Sequence, residues 1–462
     1  MKKYDSKTEQ QINNVLKYQD DELKKLAEDK LDMSKAEKCI SDSEELLRSL
    51  GYGAELERVK NAPNVPKEKK QIRVPTWEQL CAEAENVVGK QCELESIFTK
   101  EELQSNEQAI RLLNKEYNRL HQLDQYDICI SAVASLVGAA VDILLVGIPK
   151  KSKDGIRAGS LSNFIRAKFD ERFPKDEMEK LANSKVSKVS FDAQDNRHVP
   201  EDKRVVGLSS YYHRLLSLGH DPLLGFLFGV YDILNGTMTT IDKNGRFVSQ
   251  VMENYADRKE TDLFAALTKQ VIHFKSDITT SMGLPAPLMG LFNLLQFGSI
   301  GEEKQTIAEI VQGMYFEGYD FIHFCSMSVS VMLVEVIVRM CYAYKRIREG
   351  DPIKESIPFS NNRDRHPKLA TMLFIAHSGA VAINTGKIYF TKNPMAINYP
   401  QWIAFAKYSY MQLKWILIKK PEAREKYILG KINEELSEVY QQIDSTFDEI
   451  SKDYIVIFEG GI

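Results

Sequence analysis

Ionisable side chains sit inside long apolar runs of this chain. A buried charge costs several kcal/mol unless it is paired, neutralised, hydrated or bound to a metal. Asp142 lies in SAVASLVGAAVDILLVG, His220 and Asp221 lie in YYHRLLSLGHDPLLGFLFG, and Glu335 and Arg339 lie in SVMLVEVIVRM. Any fold for this sequence must therefore bring each of them a partner or an ion.

The chain divides by texture. Residues 1–61 are polar and charged, with apolar residues recurring at three- and four-residue spacing. Ile12, Val15 and Leu16 lead into Leu23 and Leu26, and Ile40, Leu46, Leu47 and Leu50 form a second stripe before Gly51. This pattern predicts a helical hairpin or coiled-coil-like region. Residues 62–76, APNVPKEKKQIRVPT, contain three prolines and a basic run and read as an exposed linker. Residues 77–125 read as connecting helices, one of them started by the capping-box pattern of Thr99 and Glu102.

From 126 to 462 the texture is that of an apolar helical body, with long segments at 127–148, 215–234, 284–300, 321–344, 369–388 and 402–418. One local exception, near 236–249, places β-prone residues on both sides of Asn244-Gly245 and predicts a small hairpin projecting from the helices. The expected fold is mainly α: a multi-helix body with one small β-hairpin, preceded by a charged N-terminal helical region. With 43% apolar and 10% aromatic residues in 462, large cores are available.

Several apolar segments approach the roughly 20 residues that cross a bilayer. Lys150, Lys151 and Lys153, like Lys419 and Lys420, flank them as basic clusters. Each segment is also interrupted, and a central charge costs about 2.5–3.5 kcal/mol on insertion scales. The balance favours buried helices of a soluble or peripheral protein over integral insertion. A formal charge of −4 and a pI of about 6.2 speak against a nucleic-acid-coating surface. The six cysteines form no CxxC pair, and no apolar stretch follows MKKYDSKTEQQ, so reduced thiols and a cytoplasmic protein, at or near the inner face of the membrane, are expected.

The residues most suited to chemistry are His213, His220 and Asp221, with His273 and Asp277 downstream. On a continuous helix His213 and His220, seven apart, share a face, and His273 and Asp277 share another at i,i+4. Two such helices converge nitrogen and carboxylate ligands that suit zinc or another divalent metal, able to generate hydroxide for hydrolysis. The competing reading makes the histidines hydrogen-bonded core groups and Asp221 the cap of a helix starting at Pro222. The His220-Asp221 dyad resembles that of HD-type metal phosphohydrolases over about ten residues, although His213 lies nearer to the dyad than in that family. Glu335 and Arg339, in favourable i,i+4 order, read as a structural ion pair. Lys387 belongs to no GxxxxGK[ST] loop, and no GxSxG elbow frames Ser217 or Ser378.

The ordered segments AAVDILLVGIP, HRLLSLGHDPLLGFLFGVYDILNGT, FEGYDFIHF and HPKLATMLFIAHSG, within roughly 125–410, resemble a group of bacterial proteins common in gut Firmicutes, for which no activity is established. The resemblance implies a bacterial source and a shared helical body, and supplies no catalytic residue. Members of that group often have His-Ser-Pro where this chain has His220-Asp221-Pro222, which sets Asp221 apart from the other candidate ligands. The sequence thus points first to a non-enzymatic helical interaction protein. Its N-terminal helices would contact a protein partner or self-associate, its body would pack internally or engage a membrane surface, and a membrane-acting effector is one version. The alternative is a metal-dependent hydrolase, and a divalent metal enters only with it.

Overall fold

The computed structural model describes residues 6–28, 33–61, 70–89, 92–93, 97–153, 155–197, 199–201, 204–280, 283–300 and 303–459, and the structural statements below refer to these. They are 68% helix and 7% strand, which places the chain in the mainly α class as the sequence predicts. Two compact units are formed, one from Met1–Arg119 with Pro421–Ile462 and one from Leu120–Lys420.

The first unit begins with α1 (Ser6–Glu28), α2 (Met33–Ser49), α3 (Gly53–Lys60), β1 (Lys70–Val74), α4 (Trp77–Val88) and α5 (Lys100–His121). The expected hairpin within 1–61 pairs differently. α1 packs on α4, burying Val15 and donating from Asn14 Nδ2 to the Gly89 carbonyl at 3.1 Å, while α2 turns back onto α3 through Arg48–Glu57 and Lys60–Glu44. Of the expected linker, residues 62–69 lie outside the described residues, and Lys70–Val74 is a strand.

The second unit contains α6 (Gln125–Val141), β2 (Lys150–Ser152), β3 (Gly155–Arg157), α7 (Ser160–Arg172), α8 (Lys175–Ala182), α9 (His213–Leu216), α10 (Phe228–Asn235), β4 (Thr237–Ile241), β5 (Phe247–Val251), α11 (Leu263–Asp277), α12 (Ile307–Glu317), α13 (Phe321–Arg348), α14 (Ile353–Ser356), α15 (Leu369–Thr391) and α16 (Tyr399–Lys414). The chain then returns to the first unit as α17 (Lys420–Asp453) and β6 (Tyr454–Phe458). Residues 421–462, expected in the body, therefore belong with the N-terminal region. The reason is a parallel pairing of β1 with β6, Lys70 opposite Tyr454 through Val74 opposite Phe458, so one side of the Lys70–Val74 backbone is hydrogen-bonded by the far end of the chain.

In the second unit α13 and α15 pack together, and α6 and α16 each pack across both. Leu369, Met372, Leu373 and Val334 are fully buried between them, each contributing about 1.5–3 kcal/mol of apolar burial. Close approach requires Gly138, where an added Cβ would stand 2.5 Å from Val334 Cγ2 and 3.2 Å from the Ser330 carbonyl. Here the charges within apolar runs find partners. Asp142 accepts from Lys387 Nζ at 3.0 Å, Asn384 Nδ2 at 3.2 Å and Asn398 Nδ2 at 2.8 Å. Lys387, its side chain 9% exposed, is thus a largely buried partner for Asp142.

Two expected helices are not continuous. Residues 215–234 divide into α9, two 3-10 turns and α10, and in 284–300 only a 3-10 stretch, Met289–Leu294, is helical. The hairpin forms in the expected place, β4 against β5 with Asp242–Arg246 as the turn, but it does not project. Every residue of β4 is buried, against a core that includes Phe191, Leu216 and Ile233, so its backbone is part of the interior.

Glu335 and Arg339 form the expected pair, Nε to Oε2 at 2.8 Å, with side chains 24% and 23% exposed. Arg339 also donates to the Pro358 carbonyl and to Asn361 Oδ1, and Tyr408 donates to Glu335. Partial exposure puts this pair between the surface and interior cases. Arg339→Ala should lower unfolding free energy by about 1–3 kcal/mol, and Arg339→Ala in a Glu335→Gln background by clearly less. Denaturant titrations that return wild-type stability for Arg339→Ala would contradict this role.

Candidate metal centre

The site is assembled from three short pieces of the second unit. An extended segment after α8 buries Val189, Phe191 and Ala193 in the core shared with the hairpin and leaves Asp192 at the rim. Ser190 Oγ fixes that segment, lying 2.8 Å from both the Asp232 and Thr237 carbonyls. The second piece is α9 with the following 3-10 turn, Leu218–His220, which carry His213 and His220. The third is the last turn of α11, with His273 and Asp277.

Phe191 is the common floor. Its ring meets His220 and His273 edge-on, with centroids at 5.0 and 5.2 Å. That contact needs Gly219, because a Cβ there would stand 2.6 Å from the Phe191 ring. His213 and His220 converge as expected, but not by sharing one helix face. The helix breaks at Ser217, whose ψ is 119°, and the bend brings the two rings to 5.4 Å.

Two overlapping donor groups result, Asp192–His213–His220 and His220–His273–Asp277, in each of which the donor atoms lie within 4.8 Å of one another. Asp192 Oδ1 is 3.2 Å from His213 Nε2 and 3.5 Å from His220 Nε2. Asp277 Oδ2 is 3.8 Å from His220 Nε2 and 3.5 Å from His273 Nε2. None of these approaches is aligned as a hydrogen bond for the His213, His220 and His273 Nε2 atoms or for Asp277 Oδ2, all of which are buried without a partner.

The tautomers follow from the neighbours. His213 Nδ1 faces the Ser210 carbonyl at 3.0 Å and His273 Nδ1 faces the Ser187 carbonyl at 2.9 Å. A carbonyl only accepts, so each Nδ1 carries the proton, and in the neutral ring Nε2 presents a lone pair. This is how a metal-ligating histidine is held by a backbone carbonyl behind it. Asp277 is held too, its Oδ1 accepting from Arg214 Nη2 at 3.0 Å, while Arg214 Nη1 donates to Thr280 Oγ1 at 2.6 Å.

Electrostatics favour a cation. Burial lowers the His220 imidazole to about 4, outweighing the opposing pull of Asp192, so the ring is neutral near pH 7. Burial raises the Asp192 carboxyl, but His213 and His220 outweigh it and hold the group well below the usual carboxylate range. Two carboxylates, Asp192 and Asp277, and one guanidinium, Arg214, border the three imidazoles.

Asp221 does not join the cluster, which corrects its candidacy as a ligand and with it the HD-type reading of the dyad. Its Oδ1 accepts from the Leu223 and Leu224 backbone N–H groups at 2.9 Å, and its Oδ2 from Leu288 N–H. It is the cap that the Asp-Pro pair allows, although the turn it starts is only the 3-10 segment Leu224–Phe226. Burial raises its carboxyl, and the three N–H groups offset part of that rise. The remaining four expected residues, His213, His220, His273 and Asp277, do come together. Asp192 was not foreseen: it lies in the polar stretch FDAQDNR, away from the long apolar runs, and only the fold brings it to the histidines.

Comparison with family models, curated proteins and solved structures finds no match for this chain.

The metal-free protein should lose stability as pH falls. The folded pKa of His220, about 4, lies below the ordinary 6.5, so between those values the unfolded chain takes up a proton that the folded chain refuses. The effect is absent above pH 6.5, grows as pH falls towards 4 and reaches about 3 kcal/mol. Unfolding free energies of wild type and His220→Gln, both stripped with chelator, should diverge in slope over this window. Parallel curves would show that His220 titrates normally.

Proposed function

We propose that this chain is a metal-dependent hydrolase whose divalent metal site is built from His213, His220, His273 and Asp277, with Asp192 as a fifth donor. The observation that carries this reading is a pair of donor triads that share His220, Asp192–His213–His220 and His220–His273–Asp277, in which three imidazole nitrogens and the Asp277 oxygen are buried without a hydrogen-bond partner. Buried polar atoms are ordinarily paired, and a cluster of orphans calls for an ion or water. Within the triads the nitrogen–oxygen separations of 3.2–3.8 Å match the edges of a coordination sphere whose metal–ligand bonds are about 2.0–2.2 Å.

A divalent ion bound there supplies a water of lowered pKa and polarises a carbonyl or phosphoryl oxygen. The protein's own residues have separate tasks. The Ser210 and Ser187 carbonyls hold two imidazoles in the ligating tautomer, and Arg214 orients Asp277 and tempers its charge. The imidazoles and Asp277 are almost fully buried, whereas the Asp192 side chain is 28% exposed. Asp192 is thus the edge of the cluster that faces solvent, the side from which water or substrate would reach the ion.

A second reading, a helical interaction protein at the inner face of the membrane, draws on other observations. Three helical segments, one within Lys100–Val146 and the others Phe321–Arg348 and Leu369–Thr391, are long and apolar enough to cross a bilayer by length and composition. α2 exposes Ile40, Leu46, Leu47 and Leu50, a stripe suited to a protein partner or to self-association. In its non-enzymatic form this reading excludes the hydrolase, whereas its membrane contact involves residues apart from the metal site.

Protein purified without chelator should carry one equivalent of zinc, manganese or iron by elemental analysis. His273→Ala or Asp277→Ala should reduce occupancy at least about tenfold, while Asp221→Asn keeps it. Chelation should abolish, and metal should restore, cleavage of nitrophenyl ester or phosphodiester probes. A protein that stays metal-free after incubation with these ions contradicts the centre. One that holds metal and cleaves no probe contradicts the hydrolase.

A further inference from the structure

We propose that the outward face of α6, continued through its π-helical last turn Asp142–Val146, is a lipid-contact surface seated on the acyl region of one bilayer leaflet. The proposal rests on the membrane half of the reading above and is independent of the metal centre.

This segment is inverted relative to a water-facing helix. Its inward residues are polar or small: Asp127, Ser131, Ser135, Gly138 and Asp142 are all buried. They find partners inside. Asp127 pairs with Lys345 at 2.8 Å, Ser135 Oγ donates to the Ala376 carbonyl at 2.7 Å, and Asp142 takes Lys387 and Asn398.

The outward residues are the apolar ones. Ile128, Val133, Leu136, Val137, Ile143 and Leu144 are exposed, Leu136 at 61% and Leu144 at 74%. Between Tyr126 and Val146 the exposed face carries no hydrogen-bonding side chain except the Cys129 thiol, over about 30 Å of helix. A second protein copy or another protein would ordinarily meet roughly one hydrogen bond per 100–200 Å² of interface. Acyl chains ask for none, and polar or small residues turned inward with large apolar ones outward is the pattern of helices that face lipid.

Charge and aromatics at the two ends fit the headgroups. Tyr126, Tyr344 and Arg348 are exposed at one end, and Lys150 and Lys153 at the other. Such residues anchor apolar segments at anionic lipid surfaces. The seating is one-sided because α16, which packs across α13 and α15 opposite α6, exposes Lys407 and Lys414. A charge in the middle of that helix keeps its side of the bundle in water.

The test is flotation of the full chain with vesicles of phosphatidylcholine and phosphatidylglycerol, roughly three to one, doped with a lipid carrying an acyl-chain diazirine. The wild type should float, be released by alkaline carbonate, and crosslink through peptides covering Ile128–Leu145. Leu136→Glu with Leu144→Glu should cut the floated fraction at least about tenfold, with helix content and metal content unchanged because both side chains are exposed. Flotation unaffected by the double variant, with crosslinks elsewhere, would overturn this surface while leaving membrane binding standing. No flotation, with a dimer that the double variant dissociates, would assign the face to a second copy and overturn both. Resistance to carbonate would mean spanning and would overturn the one-leaflet seating.

Discussion

Imidazole nitrogens crowded against carboxylates in the interior are the constraint on which this structure turns. His213 Nε2 lies 3.2 Å from the Asp192 carboxylate and His273 Nε2 lies 3.5 Å from that of Asp277, and in each ring Nδ1 faces a backbone carbonyl. In the neutral ring this opposes lone pairs in a low-dielectric interior, and a cation between them, a metal ion or a proton taken up by Nε2, reverses the sign. The surrounding fold maintains this arrangement. Ser190 pins the Asp192 segment to the hairpin, Phe191 and Gly219 interlock beneath the rings, and Arg214 holds Asp277 from behind.

The carboxylates elsewhere in the body are resolved in the opposite way. Asp142 has Lys387 and two asparagines, Asp127 has Lys345, and Glu335 has Arg339 and Tyr408. Each is closed within the helix set formed by α6, α13, α15 and α16. Single buried imidazole nitrogens lack a partner there too, at His323 and His377. What distinguishes the cluster is that three such nitrogens and a carboxylate oxygen without a partner lie together.

Much of the framework was legible because it depends on local pattern. The mainly α class, the hairpin around Asn244-Gly245, the Glu335–Arg339 pair and the i,i+4 placement of His273 and Asp277 each rest on spacing that the chain itself displays. What was not legible depends on distant segments. The pairing of β1 with β6 joins residues nearly four hundred apart and turned an expected linker into a strand. Residues 215–234 looked like one helix because continuous apolar runs do not distinguish a helix from packed short turns. The break at Ser217 is what aims His220 inward and Asp221 at backbone N–H groups. Asp192, on an irregular segment, left no periodic trace at all.

X-ray absorption at the metal edge, on wild-type protein loaded with one equivalent of zinc or manganese, reads the ligand set directly. The expected first shell is nitrogen and oxygen only, at about 2.0–2.2 Å, with outer-shell imidazole scattering that falls in His273→Ala. A first shell of oxygen without imidazole scattering, or a spectrum unchanged by His273→Ala, would place the ion elsewhere and contradict the proposed centre.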